Sequence, residues 1–153
     1  MVIGLISDTH GLVRPEVFTA LDSVELILHA GDVGGLAVLT QLRTIAPVEA
    51  VYGNTDSPGE PGLNAEIGLR LEGLTIHVSH GHELGRPTVE RLLARYEADV
   101  LVYGHTHAAL IERAGTRLVV NPGAAGPKRF DVRPSVARLT VAAGHVDAQL
   151  VWL

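Results

Sequence analysis

Apolar residues in this chain cluster into short, nearly unbroken runs separated by stretches of glycine and polar residues. Val2–Ile6, Glu25–Leu28, Val48–Val51, Ile76–Val78 and Val100–Val102 have the length and β-branched content of strands buried on both faces. Between the first three, the period changes from strand to helix. Pro15 opens a helix whose apolar face is Val17, Leu21 and Val24, and Leu36–Leu42 carries helical leucine spacing. A further helix is predicted over 87–96, where Val89, Leu92, Leu93 and Tyr96 fall at i, i+3, i+4 and i+7. Strands alternating with helices predict a parallel βαβ layer with right-handed crossovers.

Residues 53–66 break that rhythm. Asn54, Asp56, Pro58, Gly59, Pro61 and Gly62 predict an irregular loop beside a site, with no regular structure. Beyond it, Ile67–Leu71 and Leu74–Val78 flank Glu72-Gly73 as a two-residue hairpin. The last third is β-rich: Ala109–Glu112 pairs with Arg117–Val120 across Gly115, and Val136–Val141 with His145–Val151 across Gly144. An α/β domain of two packed sheets with helices outside follows, as a single domain over 1–153.

Composition narrows the function. Only 19% of residues are charged and the formal net charge is -5, which excludes a broad basic surface for nucleic acid. Any phosphate must be attracted locally, by metal. The chain has no cysteine, so neither disulfides nor a thiolate zinc site are available. Met1 leads straight into the first strand with no basic leader or membrane-length apolar run, an expectation of a soluble, cytoplasmic protein without membrane contact. The sparse charge and rich apolar content are compatible with a homo-oligomer formed through an exposed apolar patch.

The chemistry sits where the strands end. Asp8-Thr9-His10, Gly31-Asp32, Gly53-Asn54, Ser79-His80-Gly81-His82 and Gly104-His105-Thr106-His107 appear in that order, mostly after apolar runs. In a parallel sheet, ligands bind beyond the carboxyl ends of the strands. Oxygen and nitrogen donors without thiolate suit two hard or borderline divalent cations. Asp8 and His10, two apart in an extended segment, would point to one side and grip one ion, and His105 and His107 would repeat that geometry. Asp32 can bridge two ions and Asn54 can add a carbonyl oxygen. Two ions bring four positive charges against two from Asp8 and Asp32, leaving a surplus for a bridging hydroxide and an anionic substrate. Two ions about 3.5–4 Å apart would activate water and stabilise both attacking and leaving oxygens. No Gly-x-Ser-x-Gly elbow offers an alternative nucleophile.

These motifs together resemble the calcineurin-like metallophosphoesterase superfamily. Ser7-Asp8-Thr9-His10-Gly11, His29-Ala30-Gly31-Asp32, Tyr52-Gly53-Asn54-Thr55-Asp56, Tyr103–His107 and Asn121-Pro122-Gly123 are similar to its small bacterial and archaeal phosphodiesterases. The resemblance implies a four-layer α-β-β-α sandwich of two mixed sheets flanked by helices. It implies one ion at Asp8, His10, Asp32 and His107, and a second at Asp32, Asn54, His80 and His105. Manganese is the implied ion, with nickel, zinc, iron or magnesium as alternatives, and the implied substrate is a small phosphate ester. Many larger members place a histidine after Gly-Asn as the leaving-group acid; here that position is Thr55. His82 is then the candidate general acid beside Asp32 and Asn54, and Asp56 a candidate for orienting a histidine or water.

Each motif also has a plainer reading. A single Asp-x-His is ordinarily a turn or cap, and it is the ordered set of five that favours a metal site. His29 reads as a core histidine supporting a ligand loop, His77 as structural and His145 as exposed. Lys128 and Arg129 could approach a phosphate from the loop after Asn-Pro-Gly, but the favoured reading is a solvated basic pair; Asn121-Pro122-Gly123 reads as a tight turn shaping the site floor. The competing function is a non-catalytic scaffold or metal-binding protein of the same fold, like the retromer subunit that resembles this family. Such a protein is expected to have lost ligands, whereas all seven positions carry ligand-type residues here.

Overall fold

The computed structural model describes residues 1–129 and 131–153. Two sheets pack face to face. The first runs in the order β11-β10-β1-β2-β3-β4, where β1 is Val2–Ile6, β2 Leu26–His29, β3 Val48–Val51, β4 Leu63–Asn64, β10 Ser135–Ala142 and β11 His145–Trp152. The second runs β5-β6-β7-β9-β8, with β5 Ile67–Leu71, β6 Leu74–Val78, β7 Val100–Val102, β8 Leu110–Ala114 and β9 Arg117–Asn121. Strands β1 to β4 are parallel, as are β6, β7 and β9, while β10 pairs antiparallel with β1. Both sheets are therefore mixed.

The alternation of side chains builds four layers. Ile3 and Leu5 of β1 face inward and meet Ile76, Val78, Val100, Val102, Leu118 and Val120 of the opposite sheet. Their neighbour Ile6 points outward onto the helices α1 (Pro15–Ala20) and α2 (Leu36–Leu42) through Val17, Leu21, Leu39 and Leu42. On the other side α3 (Val89–Arg95) packs with Leu92, and Tyr96 just beyond it, on Leu101 and Val119. Burial on both faces explains why these strands are continuous apolar runs.

α2 has the bounds read from its leucine spacing, whereas α1 and α3 are shorter than their periodicity suggests. α1 stops at Ala20 instead of reaching Val24, because Ser23 turns into the left-handed region at φ 65°. α3 starts after Thr88, whose hydroxyl accepts the Arg91 N–H at 3.2 Å as an N-cap. The segment 53–66 is not wholly irregular: Leu63 and Asn64 form β4, parallel to β3, because Leu63 is a buried anchor within the polar loop. The hairpin turn at Glu72-Gly73 has φ of 50° and 80°, with Leu71 paired to Leu74. Two positive φ values are what a tight two-residue turn requires. Among the described residues no helix is long and apolar enough to cross a membrane.

Candidate metal centre

The carboxyl ends of β1, β2, β3, β6 and β7 open on one edge of the sandwich, and each releases ligand-type residues there. Asp8 and His10 follow β1, Asp32 follows β2, Asn54 follows β3, His80 follows β6, and His105 and His107 follow β7. Asp8 Oδ1 lies 3.3 Å from His107 Nε2 and 3.9 Å from His10 Nε2. Asp32 Oδ2 lies 3.7 Å from His10 Nε2 and 3.3 Å from His80 Nε2. Asn54 Oδ1 is 3.1 Å from both His80 Nε2 and His105 Nδ1. Asp32 thus stands between a set with His10, Asp8 and His107 and a set with His80, Asn54 and His105. Asp8 also faces both, being 3.9 Å from His80 Nε2.

The local geometry differs from the extended Asp-x-His pairs expected from spacing. Asp8, His10, Asp32, His105 and His107 all have left-handed backbone, at φ 53°, 46°, 52°, 70° and 61°. Such conformations cost of order 1–3 kcal/mol each and concentrate at functional sites. The consequence for His105 and His107 is a split: His107 turns to Asp8, whereas His105 turns to Asn54 and His80.

Each carboxylate uses one oxygen for the fold and leaves the other for the centre. Asp8 Oδ2 accepts the Ser7 hydroxyl at 2.6 Å and the His105 N–H at 3.2 Å. Asp32 Oδ1 accepts the Thr55 N–H at 3.0 Å. Asp8 Oδ1 and His10 Nε2 are buried without a hydrogen-bond partner among the described residues. Buried polar atoms are rarely left so, and a cation satisfies both. His80 donates from Nδ1 to the Ala30 carbonyl at 2.7 Å, which leaves Nε2 as a lone-pair donor to a metal. Its contact with the Asn54 carbonyl oxygen then sets two ligand atoms side by side, at a separation suited to a shared ion with bonds of about 2.0–2.2 Å.

The electrostatics agree with a cation. Burial would raise the Asp8 carboxyl, but the close approach of the His107 ring, the nearby His80 and the Ser7 hydroxyl hold it below the usual carboxylate range. Burial acts the same way on Asp32, and His80 with the Thr55 N–H overcome it, again driving the group down. Both therefore stay ionised. Burial lowers His10 and His105, favouring the neutral imidazole that metal ligation needs. For His80, burial is outweighed by the close Asp32 carboxylate, with Asp8 beside it, which together raise it. The carboxylates invite positive charge to this spot. The donor set fits one or two hard or borderline divalent ions.

The supporting groups are partly those expected. His29 is fully buried and pushed down to about 4 by burial. Its Nδ1 accepts the Gly31 N–H and its Nε2 donates to Thr9 Oγ1, joining the loops that carry Asp8 and Asp32. Asp56 accepts the backbone N–H groups of Val33, Gly34 and Gly53, fastening the Asp32 loop to the Asn54 loop. Asn121 is more than a turn residue, because its Nδ2 donates to the Gly104 carbonyl and to Thr106 Oγ1, holding the His105–His107 loop. The Asn-Pro-Gly signature was the visible signal for that role. His82 begins a 3-10 turn, with its ring centroid 5.3 Å from His80 and 6.4 Å from His105. Arg129, expected to be merely solvated, is exposed but lines a cleft with His105, Thr106 and His107.

A four-layer α/β sandwich with a carboxylate and imidazole cluster at its strand ends defines an α/β protein with a candidate metal site. The family model described as "Calcineurin-like phosphoesterase superfamily domain" matches residues 1–144, and the chain belongs to that metal-dependent family. A "Probable metallophosphoesterase" of Methanothermobacter thermautotrophicus is 38% identical, over 99% of this chain and 92% of its own length. A phosphodiesterase of Methanocaldococcus jannaschii is 32% identical, over 80% of this chain and 83% of its own. Among solved structures, Vps29 of Entamoeba histolytica complexed with zinc has a TM-score of 0.82 at 24% identity, covering 99% of both chains, which shows the shared fold.

Proposed function

We propose that this protein is a phosphodiesterase that works with two divalent cations, manganese first among them, on small phosphate esters. The observation that carries the reading is the position of Asp32 Oδ2, within 3.7 Å of His10 and 3.3 Å of His80, where two ligand sets adjoin. One ion would be held by Asp8, His10, Asp32 and His107, the other by Asp32, Asn54, His80 and His105. When bound, such a pair supplies an activated water and charge stabilisation on the attacking and leaving oxygens.

The chain's own residues supply orientation and a proton. The Ala30 carbonyl fixes the His80 tautomer, Thr55 N–H fixes the Asp32 rotamer, and Ser7 fixes that of Asp8. His82 belongs to neither ligand set yet lies beside His80 and His105, so it is assigned the role of protonating the leaving alkoxide. Replacing it by Ala should slow alkyl esters by about 10²-fold or more and nitrophenyl esters far less, since only the alkoxide needs an acid. Steady-state rates on the two substrate classes check this, and equal losses would remove the assignment.

The test of the whole reading is hydrolysis of bis-p-nitrophenyl phosphate. Manganese should switch activity on, chelator should abolish it, and returned metal should restore it. Tight metal binding with no turnover on any ester would instead favour the alternative of a non-catalytic metal-binding protein of the same fold.

A further inference from the structure

Two clefts flank the ligand cluster, and their charges differ. One, of about 190 Å³, is bounded by Tyr52, Glu66, His82, Glu83, Arg95 and Tyr96. The other, of about 270 Å³, is walled by His105, Thr106, His107, Arg129 and Val132. The first sets two carboxylates against one guanidinium. In the second, Arg129 is the one permanently charged side chain among the described lining residues. A chain of net charge -5 therefore places a permanent cation next to ligands of both sets.

The backbone that presents Arg129 is tied to the ligand loop itself. The Ala125 N–H donates to the Ser7 carbonyl at 2.9 Å and the Gly126 N–H to the Asp8 carbonyl at 3.2 Å. Arg14 Nε donates to the Gly126 carbonyl at 2.9 Å. A Cβ on Gly126 would lie 2.1 Å from the Thr9 carbonyl oxygen, so the segments pack backbone to backbone. Three residues on, the Val132 N–H donates to the Arg129 carbonyl at 3.1 Å. The guanidinium is thus carried on a segment registered to Asp8.

We infer that Arg129 is a substrate-binding residue that grips a non-bridging phosphoryl oxygen from the His107 side; this rests on the reading of the cluster as a phosphoesterase centre. Arginine suits the task because its planar fork matches two phosphate oxygens and stays charged at every working pH. The acidic cleft on the other flank would repel those oxygens and is left for the leaving alcohol, beside His82. Arg129 also bears on specificity. A dianionic monoester gains more from an added cation than a monoanionic diester does, so Arg129 sets how well monoesters are accepted.

The experiment uses metal-loaded protein and measures kcat and KM for p-nitrophenyl phosphate and bis-p-nitrophenyl phosphate, with inhibition by inorganic phosphate. Arg129→Ala should raise KM and the phosphate inhibition constant about tenfold or more, with kcat falling by less, and the monoester should suffer most. Arg129→Lys should recover part of the loss, because it restores charge without the fork. Lys128→Ala, one residue away and exposed, should change neither constant. Metal stoichiometry by titration calorimetry should be the same in every variant. Unchanged constants in Arg129→Ala, equal losses in Lys128→Ala, or lost metal in Arg129→Ala would each overturn the inference. An inactive wild-type protein would defeat the phosphoesterase reading and this inference with it, whereas an active wild type with an unaffected Arg129→Ala removes Arg129 alone.

Discussion

Asp32→Asn is expected to abolish hydrolysis of bis-p-nitrophenyl phosphate while leaving the protein folded. The carboxylate is 3% exposed and divides its labour between its oxygens. Oδ1 accepts the Thr55 N–H, and an asparagine oxygen can keep that bond. Oδ2 faces His10 and His80, and there the amide offers no negative charge to hold a cation. The shape survives and the charge does not. Loss of a group that merely orients a ligand costs about 10–100-fold in metal affinity or activity. A carboxylate placed between two ligand sets should cost more, so a fall of about 10³-fold in kcat/KM is expected. Calorimetric titration with manganese should show weakened or missing binding at one site or both, and circular dichroism should be superimposable on that of wild type. Turnover at wild-type rates under saturating metal would deny Asp32 its place between the ions.

Much of this centre was legible in the sequence because strand and ligand follow one another at fixed positions. A run such as Val100–Val102 reads as a buried strand from its shortness and β-branched content, and the polar residues after it then emerge at the sheet edge. Val2–Ile6 and Val48–Val51 have the bounds read from their apolar patterns. What the pattern could not carry was the backbone conformation past those ends. Alternation in an extended chain places Asp8 beside His10, yet the left-handed turns at both residues decide where they point. That conformation depends on tertiary restraint: the Asp8 N–H is bonded to the Gly31 carbonyl and the His10 N–H to the Asp32 carbonyl. The fastening role of Asp56 was hidden for a related reason: its three acceptor bonds go to backbone N–H groups of two loops that meet only after folding.

Gly104→Ala should damage stability and activity together, although it adds one methyl group outside the ligand set. The new Cβ would stand 2.0 Å from Ser7 Oγ and 2.7 Å from Asp8 Oδ2, far inside van der Waals contact. Neither side can yield cheaply. Ser7 Oγ donates the 2.6 Å bond to Asp8 Oδ2, and rotating it away leaves a buried carboxylate oxygen short of a donor. The Gly104 backbone is held by its N–H on the His80 carbonyl and by Asn121 on its own carbonyl. Relief must come from parting the ends of β1 and β7, which pulls His105 and His107 from Asp8 and Asn54. Overpacking of this kind costs about 1–3 kcal/mol, and displaced ligands should lower kcat/KM by about 10–100-fold. Gly73→Ala separates the two effects. Its φ of 80° makes an added Cβ costly by about 1–2 kcal/mol, but nothing lies within 4 Å of that Cβ. It also sits at the end of β6 remote from His80. Denaturant midpoints should fall in both variants, whereas kcat/KM should fall only in Gly104→Ala. Full activity in Gly104→Ala, at a stability matching that of Gly73→Ala, would mean that the contact between the β1 and β7 ends does not position the metal ligands.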